Sequence, residues 1–413
     1  MKRYNLIVWA LLPTLLFSWL WLEQEVVANE PSQYVLLNLH RHEFNRDDLL
    51  NIVERISGPA ESDIRVGIST IYSYFSVPGN DPAALERFLQ QMRTDLALVQ
   101  EVGLPFLIQL DGEQWWGARP ELWNWWDPER PGFNPQNAHN VEWYGWGPEY
   151  ALKIAWRNWG RQLRVLPPPN LMSPAYIAAW TEKMEAIIPV ILEWYEALPE
   201  DQKYLFVGVK VGWESSVGVN AWYYPDGNAK LHLPEADDPQ TGLTGSMVPC
   251  RGVQTIGFSA LTSAGIRDSG EVTEADLAEV ARRHLENLSR LASQLGVPRN
   301  RLFTHGAGWK SEELLYDAAV NQYSSPGWSF YGYATDPRRD RGVARALELS
   351  DAPYWAATEW LLFHDNKEQW TSALENTLSM PRMRYICIFN WQSIRNSPTV
   401  HEAIKNVVSA GVR

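Results

Sequence analysis

Cysteine is scarce in this sequence, and runs of positive charge are missing altogether. Only Cys250 and Cys387 occur in 413 residues, so the chain is not a small disulfide scaffold and must be held by a core. One bridge is permitted if the chain is exported, and none is specified. No spacing of His and Cys matches a zinc site, and neither a metal nor an organic cofactor is implied. Lys and Arg number 36 against 49 Asp and Glu, a net charge of −13. With no basic stretch to offset it, that balance excludes nucleic acid and anionic membrane surfaces as partners. No G-x-G-x-x-G follows the first apolar run, which argues against an open dinucleotide-binding sheet.

Aromatics are plentiful instead, with 22 Trp and 17 Tyr. Indole is awkward in a core because its N–H needs a partner. So many of them point to surfaces that stack on flat, partly apolar ligand faces. Apolar residues at 45% and charged residues at 21% otherwise describe an ordinary globular chain. The N-terminus carries Lys2 and Arg3, an apolar run from about Leu6 to Leu22, and small residues at Val26-Val27-Ala28. That is the pattern of a secretory signal peptide, or of an N-terminal anchor if uncleaved, over residues 1–28. It predicts a secreted or periplasmic protein with a membrane tether as the variant case. Residues 29–413 then form one catalytic domain.

From there apolar runs alternate with helical patterns. Strands are expected at Tyr34–Leu39, Val66–Ile71, Pro105–Leu110, Tyr204–Val211, Arg301–His305, Trp328–Tyr333, Tyr354–Glu359 and Arg384–Asn390. Helices between them are marked by caps: Asn45, Asp81-Pro82, Ser173-Pro174, the Thr273/Asp276 pair and Ser397-Pro398. A helix is also expected from Ser311, and Pro189 should kink or break the one beginning at Ser173. Strands joined by helices imply a parallel sheet with right-handed crossovers. Eight such units imply closure into a (β/α)8 TIM barrel. Two long irregular stretches, about 112–172 and 215–270, read as insertions after strands 3 and 4 over one barrel mouth. Such a mouth suits a pocket or short groove.

Two glutamates end apolar strands beside an aromatic. Glu214 closes YLFVGVKVGWE at strand 4, and Glu359 closes YWAATEW at strand 7. The C-terminal tips of barrel strands are where such folds build active sites. Strands 4 and 7 face each other across the mouth, so the two side chains can converge. Paired carboxylates are what glycosidic bond cleavage requires, one protonated to release the leaving oxygen and one ionised. A separation of about 5–5.5 Å makes the ionised one a nucleophile, and a wider gap makes room for water instead. Mutual repulsion and an aromatic wall would raise the pKa of one of the two.

Glutamates after strands 4 and 7 of such a barrel resemble the clan A, or 4/7, superfamily of retaining glycoside hydrolases. The resemblance covers most of the chain in topology and rests on short motifs. It implies Glu214 as acid/base and Glu359 as nucleophile. It further implies that Tyr331 or Tyr333 hydrogen-bonds the nucleophile, that Trp391 is a sugar platform, and that His305 lies in a substrate subsite. One position departs: the superfamily usually has Asn before the acid/base, and here it is Trp213. Asp111 at the tip of strand 3 is a candidate for substrate hydroxyls, and His40, beside Arg41, follows strand 1. Trp115, Trp116, Trp123, Trp125 and Trp126 should divide between packing of the insertion and stacking on sugars, with two or more in the cleft. The activity this implies is retaining β-glycoside hydrolysis of an oligo- or polysaccharide. A non-catalytic carbohydrate-binding barrel, or a barrel hydrolase or lyase acting on another bond, would use the same mouth.

Overall fold

The computed structural model describes residues 31–411 except 60–61, 80, 113–117, 159–161, 166, 216, 218–220, 224–227, 234–253 and 308–313. The expected leader, Trp115, Trp116 and Cys250 lie outside the described residues. Among those described, no helix is long and apolar enough to cross a membrane.

Eight parallel strands close into a barrel in chain order: β1 Gln33–Leu39, β2 Ile64–Ser73, β3 Phe106–Asp111, β4 Phe206–Ser215, β5 Leu302–Gly306, β6 Gly327–Phe330, β7 Trp355–Trp360 and β8 Met383–Ile388. The last pairs with the first, Leu36 opposite Cys387. An open doubly wound sheet is thereby excluded. The strands are apolar on both sides because both sides are covered. Tyr34, Leu36, Leu107, Val207, Phe303, Ala356, Tyr385 and Cys387 fill the barrel interior, and the outward residues pack under the helices.

The caps act where the sequence places them. Asn45 accepts from the Asp48 N–H at the start of α1 (Arg46–Ile56), and Asp81 from Ala84 at the start of α2 (Pro82–Val102). Ser173 does the same for α3 (Pro174–Ala197), and Thr273 with Asp276 forms a capping box on α4 (Glu274–Gln294). Of the kink or break expected at Pro189, the break does not occur, since α3 runs through it. Ile187, Ile188, Val190 and Ile191 on either side of it are all buried. Their packing outweighs one lost backbone bond. The helix expected from Ser311 is, in its described part, a 3-10 helix at Leu314–Ala319.

The two insertions build one unit. Ala155–Asn158 and Gln162–Val165 from the first join Ala221–Tyr223 and Gln254–Thr255 from the second in an antiparallel four-stranded sheet. The Asn170 amide donates to Ser263 Oγ at 2.8 Å, and the Trp146 indole donates to the Gly270 carbonyl at 2.9 Å, tying the same two insertions. Three tryptophans pack within the first insertion. Trp123 and Trp126 stack with centroids 5.4 Å apart, and Trp125 donates to the Leu152 carbonyl.

Barrel pairing is irregular where the site lies. Register shifts occur between Val211 and Ser215 on β4, between Trp328 and Ser329 on β6, and between Ala357 and Trp360 on β7. Bulges of this kind re-aim side chains at a strand end. On β4 the shift is made by Gly212 at φ +78° and by Glu214 itself at φ +46°, a conformation uncommon for a residue with a side chain.

Candidate active site

Glu214 and Glu359 end on the same side of the barrel mouth, both almost fully buried. A side-chain donor atom from each of Glu214, His305 and Glu359 lies within 4.8 Å of the other two. Residues 145 positions apart in sequence (359 − 214) are therefore brought together by strand order and by the register shifts at the strand ends.

Both carboxylates are held by hydrogen-bond donors, and Ser329 lies within reach of both. Glu359 Oε2 accepts from Tyr331 Oη at 2.6 Å, and Glu359 Oε1 from Trp213 Nε1 at 3.1 Å. Glu214 Oε1 accepts from Ser329 Oγ at 2.8 Å. Of the two candidate tyrosines the bond is made by Tyr331. Trp213, where the superfamily pattern has Asn, reaches across from β4 to β7 and holds the opposite carboxylate.

Beneath the pair, Lys210 Nζ is 2.9 Å from His305 Nδ1, and His305 Nε2 is 2.9 Å from Ser329 Oγ. Burial raises the Glu359 carboxyl above the usual range, opposed by the Lys210 charge and by hydrogen bonds from Tyr331, Trp213 and Ser329. Burial also lowers Lys210, opposed by Glu359, Asp111, Cys387 and Glu214. His305 is held well below the usual imidazole range by burial and by the Lys210 charge, so its ring is neutral. Burial and the charges of Glu359 and Glu214 drive the Tyr331 hydroxyl far above its ordinary value, so it remains a donor.

Three donors this close could clasp a cation. The neutral imidazole has one lone pair, however, and the Lys210 ammonium has only protons to offer it. With Nδ1 taken by Lys210 and Nε2 turned to Ser329, His305 has no lone pair left for a metal. The set fits a hydrogen-bonded carboxylate pair better than a metal centre.

Asp111 is buried at the tip of β3 and acts on Lys210 through its charge. Two expected residues do not join the group. Trp391 is buried at the start of a short helix, its ring stacked on His401 with centroids 5.4 Å apart, so it packs rather than offering a face to a sugar. His40 is exposed and stacks on His42. Lys210 and Ser329 went unnoticed in the sequence. A lysine inside an otherwise apolar strand was the available signal for the first; nothing marked the second. Phe363, just past β7, was also missed. It is 69% exposed, and its ring stacks on that of Tyr331 at 5.9 Å, so it forms part of the mouth.

No protein-family model matches the sequence, and no curated protein does. The fold has solved counterparts. The catalytic domain of the β-amylase from Paenibacillus polymyxa superposes with a TM-score of 0.51 at 8% identity, over 93% of this chain and 99% of that one. A glycoside hydrolase family 5 enzyme from Prevotella bryantii gives 0.43 at 9% identity, over 93% and 98%. GH26A from a Muricauda species gives 0.41 at 12%, over 92% and 90%. At such identities the likeness bears on the fold alone, a (β/α)8 barrel of the kind glycoside hydrolases use.

Proposed function

We propose that this protein is a retaining β-glycoside hydrolase acting on an oligo- or polysaccharide, with Glu359 as nucleophile and Glu214 as acid/base. The observation that carries the reading is the short approach of the two buried carboxylates, within 4.8 Å. One oxygen of each carboxylate lies inside that distance, which agrees with the separation of about 5–5.5 Å between carboxyl groups at which one of them attacks the sugar directly, rather than with the wider gap of the inverting arrangement.

The donor pattern supports the division of roles. Glu359 is held by an indole N–H, which can only donate, and by a phenol that stays protonated. Both suit an anion held in place for attack. The Ser329 hydroxyl occupies Glu214 Oε1, so the proton that Glu214 delivers is carried on Oε2.

In the first step a Glu359 oxygen bonds to the anomeric carbon as the glycosidic C–O bond breaks, and the Glu214 proton passes to the departing oxygen. In the second, Glu214 takes a proton from water, whose oxygen bonds to the anomeric carbon and displaces Glu359. Each step restores the protonation state the other needs. In this reading Asp111 is the candidate for the sugar hydroxyls and Phe363, 69% exposed, the candidate for its apolar face.

The test is hydrolysis of a panel of aryl β-glycosides by the wild type and by Glu214→Gln and Glu359→Gln. The reading expects turnover on at least one glycoside. It expects losses of roughly 10²–10⁴-fold for the acid/base variant on the natural substrate and more for the nucleophile variant, with sugar binding retained in both. Tight sugar binding with no turnover on any member would instead mark a carbohydrate-binding barrel.

A further inference from the structure

Below the carboxylates runs a line of three hydrogen bonds whose direction is fixed at one end. Lys210 points into the barrel, opposite Gln109 on β3, and is 1% exposed. The carboxylates of Glu359, Asp111 and Glu214 favour its ammonium form against burial, and an ammonium has three protons and no lone pair. His305 Nδ1, 2.9 Å away, must therefore accept. The neutral imidazole then carries its proton on Nε2, facing Ser329 Oγ at 2.9 Å. Ser329 receives that proton as an acceptor, which leaves its own hydroxyl proton to give. Its hydrogen bond is to Glu214 Oε1 at 2.8 Å, with Glu359 the second carboxylate within the hydroxyl's reach. His305 is fully buried, so solvent does not reset the order.

We propose that Lys210 is a positioning residue for Glu214, acting through the His305 tautomer and the Ser329 hydroxyl to support the Glu214 carboxylate once its proton has left. The inference rests on the acid/base role given to Glu214 above. Without Lys210, His305 Nδ1 can hold the proton instead. Ser329 then donates to the bare Nε2 lone pair, and Glu214 loses the Ser329 hydrogen bond. The charged and titratable groups around Lys210 come from every neighbouring wall: Asp111 from β3, Glu214 from β4, His305 from β5, Glu359 from β7 and Cys387 from β8. Tyr331, just after β6, faces the same carboxylates. Lys210 is their buried cation, and a role confined to neutralising them would not discriminate between leaving groups.

Two measurements on the full chain test the relay. In the first, ¹⁵N NMR of His305 should show a single Nε2–H tautomer near neutral pH in the wild type, and a mixed or Nδ1–H ring in Lys210→Met. In the second, each variant is assayed at the top of its own pH profile with two aryl glycosides, one with a poor leaving group and one with a dinitrophenolate that departs without protonation. Loss of a hydrogen bond to a charged group should reduce kcat about tenfold or more on the first substrate, and clearly less on the second. Ser329→Ala should show the same split, and the double variant should be no worse than the poorer single one. If Lys210→Met fails to fold, Ser329→Ala carries the kinetic test. An Nδ1–H ring in the wild type overturns the relay, and so do equal losses on the two leaving groups. Should the wild type hydrolyse no glycoside at all, the hydrolase reading fails, while the tautomer alone still decides whether Lys210 sets the ring.

Discussion

Tyr331 Oη lies 2.6 Å from Glu359 Oε2, a phenol on the loop after β6 bonded to a carboxylate at the end of β7. The bond uses the hydroxyl alone, since the Tyr331 ring is otherwise held by its stack on Phe363. Tyr331→Phe should therefore leave the melting temperature nearly unchanged while lowering kcat by about 10–100-fold, the worth of a hydrogen bond to a charged group. Calorimetry and aryl glycoside kinetics on the same preparation check both halves.

A second expectation concerns Trp213, whose indole N–H reaches Glu359 Oε1 at 3.1 Å. Trp213→Phe keeps most of the ring and removes the donor. The Glu359 carboxyl should then titrate higher, since one bond that stabilises its ionised form is gone. The sign is definite: a nucleophile must be ionised, so the acidic limb of the kcat/KM profile moves to higher pH. An unchanged acidic limb would count against Glu359 as the group that sets it.

Gly212 tests the backbone that aims the acid/base. At φ +78° it adopts a turn that residues with side chains rarely take, and an added Cβ would meet Leu285 Cδ2 at 2.5 Å and Ser215 Oγ at 2.9 Å. Leu285 is fully buried on α4 and has little room to yield. Gly212→Ala should cost about 1–3 kcal/mol of stability. It should reduce activity further than that loss explains, because Trp213 and Glu214 follow directly. Activity measured well below the melting temperature separates the two effects.

Glu142 gives a pH dependence away from the site. It is fully buried in the first insertion, and burial raises its carboxyl from 4.5 to about 8. The folded state holds this proton more tightly than the unfolded one. Its contribution to stability is thus complete below pH 4.5 and is lost as pH rises through about 8. Glu142→Gln, already neutral, should match the wild type near pH 4 and exceed it at pH 8 by on the order of 1–3 kcal/mol. Chemical denaturation at the two pH values reads the difference.

Most of the barrel was legible because its strands are apolar on both faces and its helices carry side-chain caps, both local signals. The carboxylate pair was legible for a related reason: each glutamate interrupts an apolar run at a strand end. What lay beyond was set by tertiary placement. An aromatic after β8 is visible in sequence, but whether Trp391 faces a sugar or His401 depends on which way a short helix turns. Ser329 is an unremarked serine until a register shift on β6 brings it to Glu214. Lys210 stood inside the strand read as wholly apolar, where its charge is tolerated only because carboxylates from other strands surround it. Pro189 obeyed its tertiary surroundings rather than its propensity.

The most direct test of the central claim is the configuration of the first-formed product, followed by ¹H NMR during hydrolysis of an aryl β-glycoside. Two carboxylates within 4.8 Å predict that the β anomer appears first and mutarotates afterwards, and that this signal is lost in Glu359→Gln. Initial release of the α anomer, or undiminished turnover by Glu359→Gln, would contradict the account.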